Sequence, residues 1–180
     1  FHGHVIKGYF GKIKSSAFIA IERVLAIFSD RIIAVSPRIK KELTGFGIGN
    51  ENKVAVIPLG FELDKFLAIP IPIPQETVRI GIVGRLVPIK NHTVFLRAAA
   101  ELIRHCLPAR ISFEIVGDGP LRKELEHYAE SLGIQKHIIF SGWQKDLACK
   151  YENFHIVALT SDNEGTPVSL IEAMASARPV

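Results

Sequence analysis

Cysteine is scarce in this chain of 180 residues: Cys106 and Cys149 stand alone, with no CxxC pair and no Cys/His cluster at zinc-site spacing. A disulfide framework is therefore excluded, no metal site is assigned, and reduced thiols in a cytosolic protein are favoured. No apolar run reaches the roughly 18 residues of a membrane-spanning helix, and no signal peptide is recognisable. Basic runs with interleaved aromatic residues are also missing, so nucleic acid is not an expected partner.

The rest of the composition is typical of a soluble α/β protein, with 48% hydrophobic and 22% charged residues and a net charge of +4. The length allows one domain, or one domain with part of another. The mild positive charge suits an anionic substrate or a membrane surface. The chain opens on Phe1 without an initiator Met and stops at Val180, where an apolar strand is expected to begin. We therefore expect an internal piece of a longer protein.

The first 57 residues combine helix and strand patterns. An amphipathic helix is predicted over 10–28, with an apolar stripe formed by Phe10, Ile13, Ala17, Ile21, Val24, Leu25 and Phe28. Two short β-branched runs, 31–36 and 53–57, predict buried strands, and Ser36-Pro37 predicts the start of a helix that ends near Leu43. The Ile-Pro repeat within 58–77 argues against a helix or a central strand, so this segment is predicted to be an extended linker.

From residue 78 onward, strand and helix patterns alternate regularly. Strands are predicted over 78–83, 111–116, 138–140 and 156–159, and helices over 91–105, 120–132 and 145–151, with a last helix that starts at Pro167. This alternation predicts a parallel sheet with helices on both faces. Ligands of such sheets bind beyond the carboxyl ends of the strands, so the expected site lies at the loops of Gly84, Gly117 and Ser161.

Two glutamates eight positions apart, Glu164 and Glu172, flank the start of that last helix. Thr166 is a good N-cap, and Pro167 suits the first helical position, where its missing N–H costs nothing. The apolar residues that follow at helical spacing are Leu170, Ala173, Met174 and Ala177. The unpaired N–H groups of a first turn can bind an anion, while carboxylates accept hydrogen bonds from hydroxyls. This combination suits a sugar nucleotide; a solvated surface pair is the alternative.

Two cations follow the strand at 78–83, within the segment Gly81–Lys90. Gly84 lets the backbone approach a ligand, Arg85 can hold a phosphate with its planar guanidinium, and Lys90 adds a compact positive charge. Two cations at the end of a strand suit a diphosphate that gains negative charge as it leaves. A solvated basic loop is the alternative. The fingerprint G-x-G-x-x-G is absent, so an NAD-type site is not predicted.

Three further positions are weaker candidates for ligand contacts. Gly117 follows a strand in a Gly-Asp-Gly-Pro sequence, where a tight turn is the structural alternative. Gly142 follows an apolar run and precedes Trp143, which could stack on a base or be buried. His2 lies near the start of the chain beside His4, and a surface or packed histidine is the alternative there.

Together these segments resemble family 4 retaining glycosyltransferases. The stretch Glu164–Glu172 is similar to their E-x7-E signature, and Gly81–Lys90 matches their pattern G-x-x-G-R-x-x-x-x-K. Other segments similar to family motifs are His2-Gly3, Pro58–Phe66, Gly117–Pro120 and the strand end at Gly142. Ser161–Asn163 is interpreted as loop support. The resemblance implies the GT-B fold, an α/β architecture of two facing Rossmann-like domains, here incomplete at both ends.

In that fold, residues 1–57 would be the end part of the N-terminal acceptor domain. Residues 58–77 would be the interdomain linker, and 78–180 a truncated C-terminal nucleotide-sugar domain. The implied reaction moves a sugar from a nucleoside diphosphate sugar to a hydroxyl acceptor with retention of anomeric configuration. The resemblance extends to bacterial enzymes of surface polysaccharide and glycolipid assembly.

The resemblance also implies residue roles. The catalytic residues would be Glu164, Arg85, Lys90 and His2. The residues that bind the donor would be Gly84, Arg85, Lys90, Gly117, Gly142, Gly165, Thr166, Pro167, Val168 and Glu172. Glu164 would hold hydroxyls of the donor sugar, and Glu172 would hold the ribose hydroxyls. Arg85 and Lys90 would stabilise the departing diphosphate.

No cofactor is implied, and a UDP-sugar is favoured as the donor. The expected acceptor is a glycan or a lipid-linked molecule. The protein is expected in the cytoplasm, with peripheral contact at the inner face of the membrane as a further expectation. Two alternatives stay open: a hydrolysing nucleotide-sugar epimerase of the same fold, and a non-catalytic protein that binds sugar nucleotides.

Overall fold

The structure is a computed structural model that describes residues 12–73, 76–105 and 110–180. It divides into two compact units. The first comprises the described residues up to Phe61 together with Asn163–Pro167, and the second comprises those of Glu62–Asp162 and Val168–Val180. The division at Phe61 falls inside the segment 58–77, whose role as an interdomain linker stays a prediction.

The first unit contains α1 (Lys12–Phe28), β1 (Ile32–Ala34), α2 (Pro37–Gly45) and β2 (Val54–Val56). The two strands pair in parallel, with Ile32 opposite Val54. Ser36 caps α2 as predicted: its side-chain oxygen accepts a hydrogen bond from the Ile39 N–H at 3.3 Å, and Pro37 occupies the first turn. Both predicted strands are confirmed, each shorter than expected.

The predicted apolar stripe of α1 is not the face that packs. Ile21, Val24 and Leu25 are each more than half exposed, and Phe28 is 83% exposed. The helix instead contributes Ala26 and Ile19 to the core formed with β1 and α2. These two residues are seven positions apart and so lie on one side of the helix, offset from the stripe. Phe10 lies outside the described residues.

The second unit is built on a parallel sheet of β3 (Val78–Val83), β4 (Ile111–Val116), β5 (Ile138–Gly142) and β6 (Ile156–Ala158). The strands stand in the order β5-β4-β3-β6, so β3 pairs with both β4 and β6. The helices are α3 (Asp64–Leu67), α4 (His92–His105), α5 (Arg122–Ser131), α6 (Ala148–Asn153) and α7 (Val168–Ala175), with a short 3-10 turn at Pro88–Lys90. The four strands predicted after residue 77 are thereby confirmed.

Helices cover both faces of this sheet, as predicted. One face packs against α4 and α5 through Phe95, Leu96, Phe113 and Leu125. The other packs against α3, α6 and α7 through Phe66, Val116, Tyr151 and Ala173. Because the side chains of a strand alternate between faces, Phe113 and Val116 serve opposite layers.

The segment 58–77 is not extended throughout, contrary to the prediction, because it contains α3. This helix ends at Leu67, before the Ile-Pro repeat begins, so the prolines do not interfere with it. Phe66 is buried and lies edge-to-face against Tyr151, with the ring centroids 5.3 Å apart. The burial of this aromatic ring stabilises a short helix whose own residues contain no proline.

The end of the chain returns to the sheet, where the Val157 N–H donates to the Pro179 carbonyl oxygen at 2.9 Å. The buried Arg178 guanidinium donates to the carbonyl oxygens of Phe154 (3.1 Å) and Glu152 (2.9 Å), and reaches back to Pro70 (2.7 Å). Burial lowers the pKa of Arg178. The bond to Pro70 attaches the start of the Ile-Pro segment to the last residues of the second unit.

Candidate functional site

The carboxyl ends of β3, β4 and β6 lie at one edge of the sheet, as the parallel order requires. The loops that leave this edge are hydrogen-bonded to one another. The Gly84 N–H donates to the Val116 carbonyl oxygen, and the Gly117 N–H donates to that of Gly142, both at 2.9 Å. The loops of Gly84 and Gly117, two of the three predicted to form the site, therefore meet at this edge.

Gly117 is required by the close approach of the β3 loop. Its φ is +136°, and a Cβ added there would overlap the carbonyl oxygen of Gly84. A Cβ on Gly119 would likewise lie 2.5 Å from the Leu86 carbonyl oxygen. Gly84 itself has room, since the nearest atom to an added Cβ is a Lys90 side-chain carbon at 3.8 Å. The tight packing of two loops thus accounts for Gly117, and its contact with a ligand stays a prediction.

Arg85 and Lys90 stand on the loop that follows β3. Arg85 is exposed at its start, and Lys90 is half-buried at the end of the 3-10 turn. Asn91 follows in the left-handed conformation, with φ 46° and ψ 48°, a region that Asn tolerates better than most residues. The loop therefore turns sharply before α4 begins and leaves both cations at the carboxyl edge.

Three hydrogen bonds connect this loop to the loop after β6. The Asn91 side-chain Nδ2 donates to Asp162 Oδ1 at 2.8 Å, and the Asp162 N–H donates to the Ile89 carbonyl oxygen at 2.9 Å. Thr160 Oγ1 donates to the Lys90 carbonyl oxygen at 3.1 Å. The partners lie about 70 positions apart, so no local sequence signal points to this connection.

His92, the first residue of α4, is a buried group that the sequence analysis missed. It is only 2% exposed, and neither ring nitrogen has a hydrogen-bond partner among the described residues. Burial, with the nearby positive charge of Lys90, lowers the pKa of His92 to about 4. The imidazole is therefore neutral near pH 7 and adds no charge beside Lys90.

Glu172 is held by a buried tyrosine. Tyr151 Oη lies 3.0 Å from Glu172 Oε2 and 2.9 Å from the Ser169 carbonyl oxygen. Burial raises the pKa of Glu172, although the hydrogen bond from Tyr151 and the positive charge of Lys65 both act to lower it. The sequence does not indicate this role for Tyr151, because nothing in it distinguishes Tyr151 from an ordinary aromatic residue of the core.

The α7 start differs from the prediction in one detail: the helix begins at Val168, one residue after Pro167. Along α7, Ala173 is buried as expected, but Met174 is more than half exposed. Ala177 lies beyond the end of the helix with φ 56°. The apolar face of this helix is therefore narrower than its spacing predicts.

The remaining candidates are placed as follows. The segment Asn163–Pro167, which contains Glu164, Gly165 and Thr166, belongs to the first unit. A small pocket in that unit is lined by two groups of residues: Asn163, Glu164 and Gly165 from this segment, and Ser36, Arg38, Ile39 and Glu42 from the start of α2 and the helix itself. Gly142 ends β5 with φ +68°. Trp143 beside it is 72% exposed, so it is not a core residue. His2 and His4 lie outside the described residues.

A buried ion pair on the second unit was also missed. Lys150 Nζ lies 2.7 Å from Glu114 Oε1, and the Ser141 hydroxyl donates to the same oxygen.

In the described ranges, no group of three His, Cys, Asp or Glu side chains is placed to hold a metal ion. Among those residues, no helix has the length and apolar character needed to cross a membrane.

The sequence matches two family descriptions. Residues 77–180 match "Glycosyl transferases group 1", and residues 1–65 match "Glycosyltransferase Family 4". The first match covers more than half of the chain, so this chain belongs to the group 1 glycosyltransferases. The resemblance inferred from Glu164–Glu172 and Gly81–Lys90 is thereby confirmed.

Two curated relatives are bacterial transferases. A UDP-Gal:alpha-D-GlcNAc-diphosphoundecaprenol alpha-1,3-galactosyltransferase of Escherichia coli is 31% identical over 137 residues, covering 71% of this chain and 35% of that protein. An N-acetyl-D-galactosaminyltransferase of Campylobacter jejuni, named for an undecaprenol-linked glycan, is 40% identical over 92 residues, covering 51% of this chain and 25% of that protein. The chain thus spans about a third or less of these relatives.

The fold is shared with a solved structure. Anabaena Alr3699/HepE in complex with UDP and glucose superposes with a TM-score of 0.81 at 22% identity, covering all of this chain and 50% of that one. The predicted GT-B architecture, with a parallel sheet between helices, is confirmed.

Proposed function

We propose that this chain supplies the nucleotide-sugar site of a retaining glycosyltransferase. The observation that carries the proposal is the arrangement at one edge of the second unit: Arg85 and Lys90 leave β3, while α7, with Glu172, follows the neighbouring strand β6. Two cations after one strand and a carboxylate on the helix after the neighbouring strand match a ligand that has both phosphates and hydroxyls. Membership of the group 1 glycosyltransferases supports the same assignment.

In this proposal, Arg85 and Lys90 stabilise the negative charge that develops on the diphosphate as its bond to the sugar breaks. Fixed positive charges at a site of developing charge lower the barrier because they need no reorganisation during the reaction. Glu172 accepts hydrogen bonds from the ribose hydroxyls, and Glu164 holds the hydroxyls of the donor sugar. His2, which lies outside the described residues, is given a catalytic role by the resemblance alone.

No side chain is proposed as a nucleophile. The leaving phosphate assists deprotonation of the acceptor hydroxyl on the same face of the sugar, which gives retention. The two glutamates are not a glycosidase pair, because Glu172 is assigned to the nucleotide. Gly84, where an added Cβ would meet no atom closer than 3.8 Å, leaves space for the diphosphate close to the backbone.

The donor is proposed to be a UDP-sugar and the acceptor a glycan or lipid-linked glycan. Support comes from the relatives: the Escherichia coli enzyme is named for UDP-Gal and for a diphosphoundecaprenol-linked sugar, and the Anabaena structure holds UDP and glucose. A lipid-linked acceptor would bring the protein to the inner face of the membrane. Vesicle flotation of the full-length protein, with and without anionic lipid, tests that contact.

The deciding experiment is a transfer assay with the full-length protein, a panel of UDP-sugars and lipid-linked glycan acceptors. We expect a glycosylated product by mass spectrometry and, by NMR, an anomeric configuration equal to that of the donor. Release of an epimerised free sugar without acceptor would instead identify a hydrolysing epimerase. Binding of UDP without any turnover across the panel would identify a non-catalytic binding protein.

A further inference from the structure

The hydrogen bonds between the β3 and β6 loops form what we name the loop clamp: Ile89, Lys90 and Asn91 on one side, Thr160 and Asp162 on the other. We propose that Asp162, acting through Asn91, is a positioning residue that fixes Lys90 for the diphosphate. The inference rests on the proposed function, since it concerns the same ligand.

The clamp holds both peptide groups that flank the Cα atom of Lys90. On one side, the Ile89 carbonyl oxygen accepts a hydrogen bond from the Asp162 N–H at 2.9 Å. On the other side, the Lys90 carbonyl oxygen accepts one from Thr160 Oγ1 at 3.1 Å. The base of the lysine side chain is therefore fixed against β6, the strand that leads toward α7.

The Asn91 side chain joins the two loops with a defined orientation. Its Nδ2 donates to Asp162 Oδ1 at 2.8 Å, while its Oδ1 accepts from Thr93 Oγ1 at 2.8 Å. The Asn91 backbone connects the 3-10 turn to α4, since its N–H donates to the Pro88 carbonyl oxygen and its own carbonyl oxygen accepts from Val94. The left-handed conformation of Asn91 is thus supported from both sides.

A purely structural role is the weaker explanation for this pair. Asp162 is exposed and Asn91 is half-buried, so their hydrogen bond lies outside the hydrophobic core and adds little to stability. Such a bond can instead preorganise Lys90 for binding. A cation that is already in place does not have to be ordered when the phosphate binds. The loop clamp therefore belongs to the binding site.

The test is a set of variants of the full-length protein, with UDP and uridine as calorimetric probes. Asp162→Ala removes the acceptor of Asn91 Nδ2, and we expect UDP binding to weaken about tenfold, as for the loss of one charge-assisted hydrogen bond. Uridine binding and the melting temperature should change little, because neither depends on Lys90. Asp162→Asn keeps Oδ1 as an acceptor and should bind UDP nearly as the parent does. Asp30→Ala, at an exposed aspartate of the first unit, is the matched control.

A reversed pair makes the test independent of how well Asp162→Ala folds. Asn91→Asp alone places two carboxylates opposite each other and should weaken UDP binding further. In the double variant Asn91→Asp/Asp162→Asn, the amide at 162 donates to the carboxylate at 91, so UDP affinity should recover. Failure of the double variant to recover, or an equal loss for UDP and uridine in Asp162→Ala, would overturn the positioning role. A parent protein that binds UDP no better than uridine would overturn the proposed function instead.

Discussion

The hydroxyl of Tyr151 lies 3.0 Å from Oε2 of Glu172 and 2.9 Å from the carbonyl oxygen of Ser169. A hydroxyl has one hydrogen to donate, so the carboxylate and the carbonyl compete for it. The Tyr151 ring is fully buried against Phe66 and Phe154, which fixes the position of its oxygen. Glu172, the proposed acceptor of hydrogen bonds from the ribose hydroxyls, is thereby held in place by a residue of the hydrophobic core.

Removal of that hydroxyl should weaken nucleotide binding with little effect on folding. Tyr151→Phe keeps the ring packing and leaves Glu172 without its donor, so we expect UDP affinity to fall by about fivefold to tenfold and stability by about 1 kcal/mol. Calorimetry and thermal melting measure the two effects. Tyr128→Phe, on the opposite face of the sheet, is the matched control. Unchanged UDP affinity in Tyr151→Phe would show that the Tyr151 hydroxyl does not contribute to nucleotide binding.

Loss of either loop cation should reduce transfer strongly. In the full-length protein, Arg85→Ala and Lys90→Ala should each lower kcat/KM by about a hundredfold or more, which corresponds to roughly 3–4 kcal/mol of transition-state stabilisation. Arg97→Ala, at an exposed arginine of α4, should leave turnover unchanged. Near-normal rates in both loop variants would remove these residues from the diphosphate site.

The two glutamates should differ in what they affect. Glu172→Gln should weaken UDP binding, because the ribose changes little during the reaction, whereas Glu164→Gln should chiefly lower kcat. Equal binding losses in the two variants would contradict the division of roles.

UDP binding should also depend on pH through Glu172. Burial raises the pKa of Glu172 above its ordinary value of 4.5. Acidification should therefore protonate Glu172 and weaken UDP binding at a higher pH than for an ordinary glutamate. Calorimetry over a pH series measures this, and Glu172→Gln should lose that pH dependence.

Protonation of His92 should destabilise the protein in mild acid. Its pKa is about 4 in the folded protein and 6.5 in the unfolded chain, so the unfolded state takes up the proton first as the pH falls. Stability should decline between those two values, by about 3 kcal/mol in total from this group. Denaturant unfolding at several pH values tests this. His92→Leu should remove that decline without loss of stability at pH 7, since it also removes two buried nitrogens that lack partners. The exposed His105→Gln should keep the decline.

A glycine at position 177 should stabilise the second unit. Ala177 follows α7 with φ 56°, a conformation that costs a residue with a Cβ roughly 1 kcal/mol relative to glycine. Ala177→Gly should raise the free energy of unfolding by about that amount, and Ala177→Val should lower it. A lower melting temperature for the glycine variant would contradict the strain inferred from this dihedral angle.

The sequence alone was sufficient for the strands 78–83 and 111–116 and for the start of α2. These features depend on neighbouring residues: apolar runs ended by glycine, and a serine cap followed by proline. The motifs Gly81–Lys90 and Glu164–Glu172 were likewise readable, because their residues are close along the chain.

Only the tertiary structure decided the rest. The exposed stripe of α1, the buried His92, the Asn91–Asp162 bond and the Tyr151–Glu172 bond each depend on which surfaces meet after folding. Helix α3 formed in a segment whose prolines predicted extended chain, because its own residues Asp64–Leu67 contain no proline and Phe66 packs into the core. Spacing along a chain fixes which residues can share a face, but burial and partners are set by elements far apart in sequence.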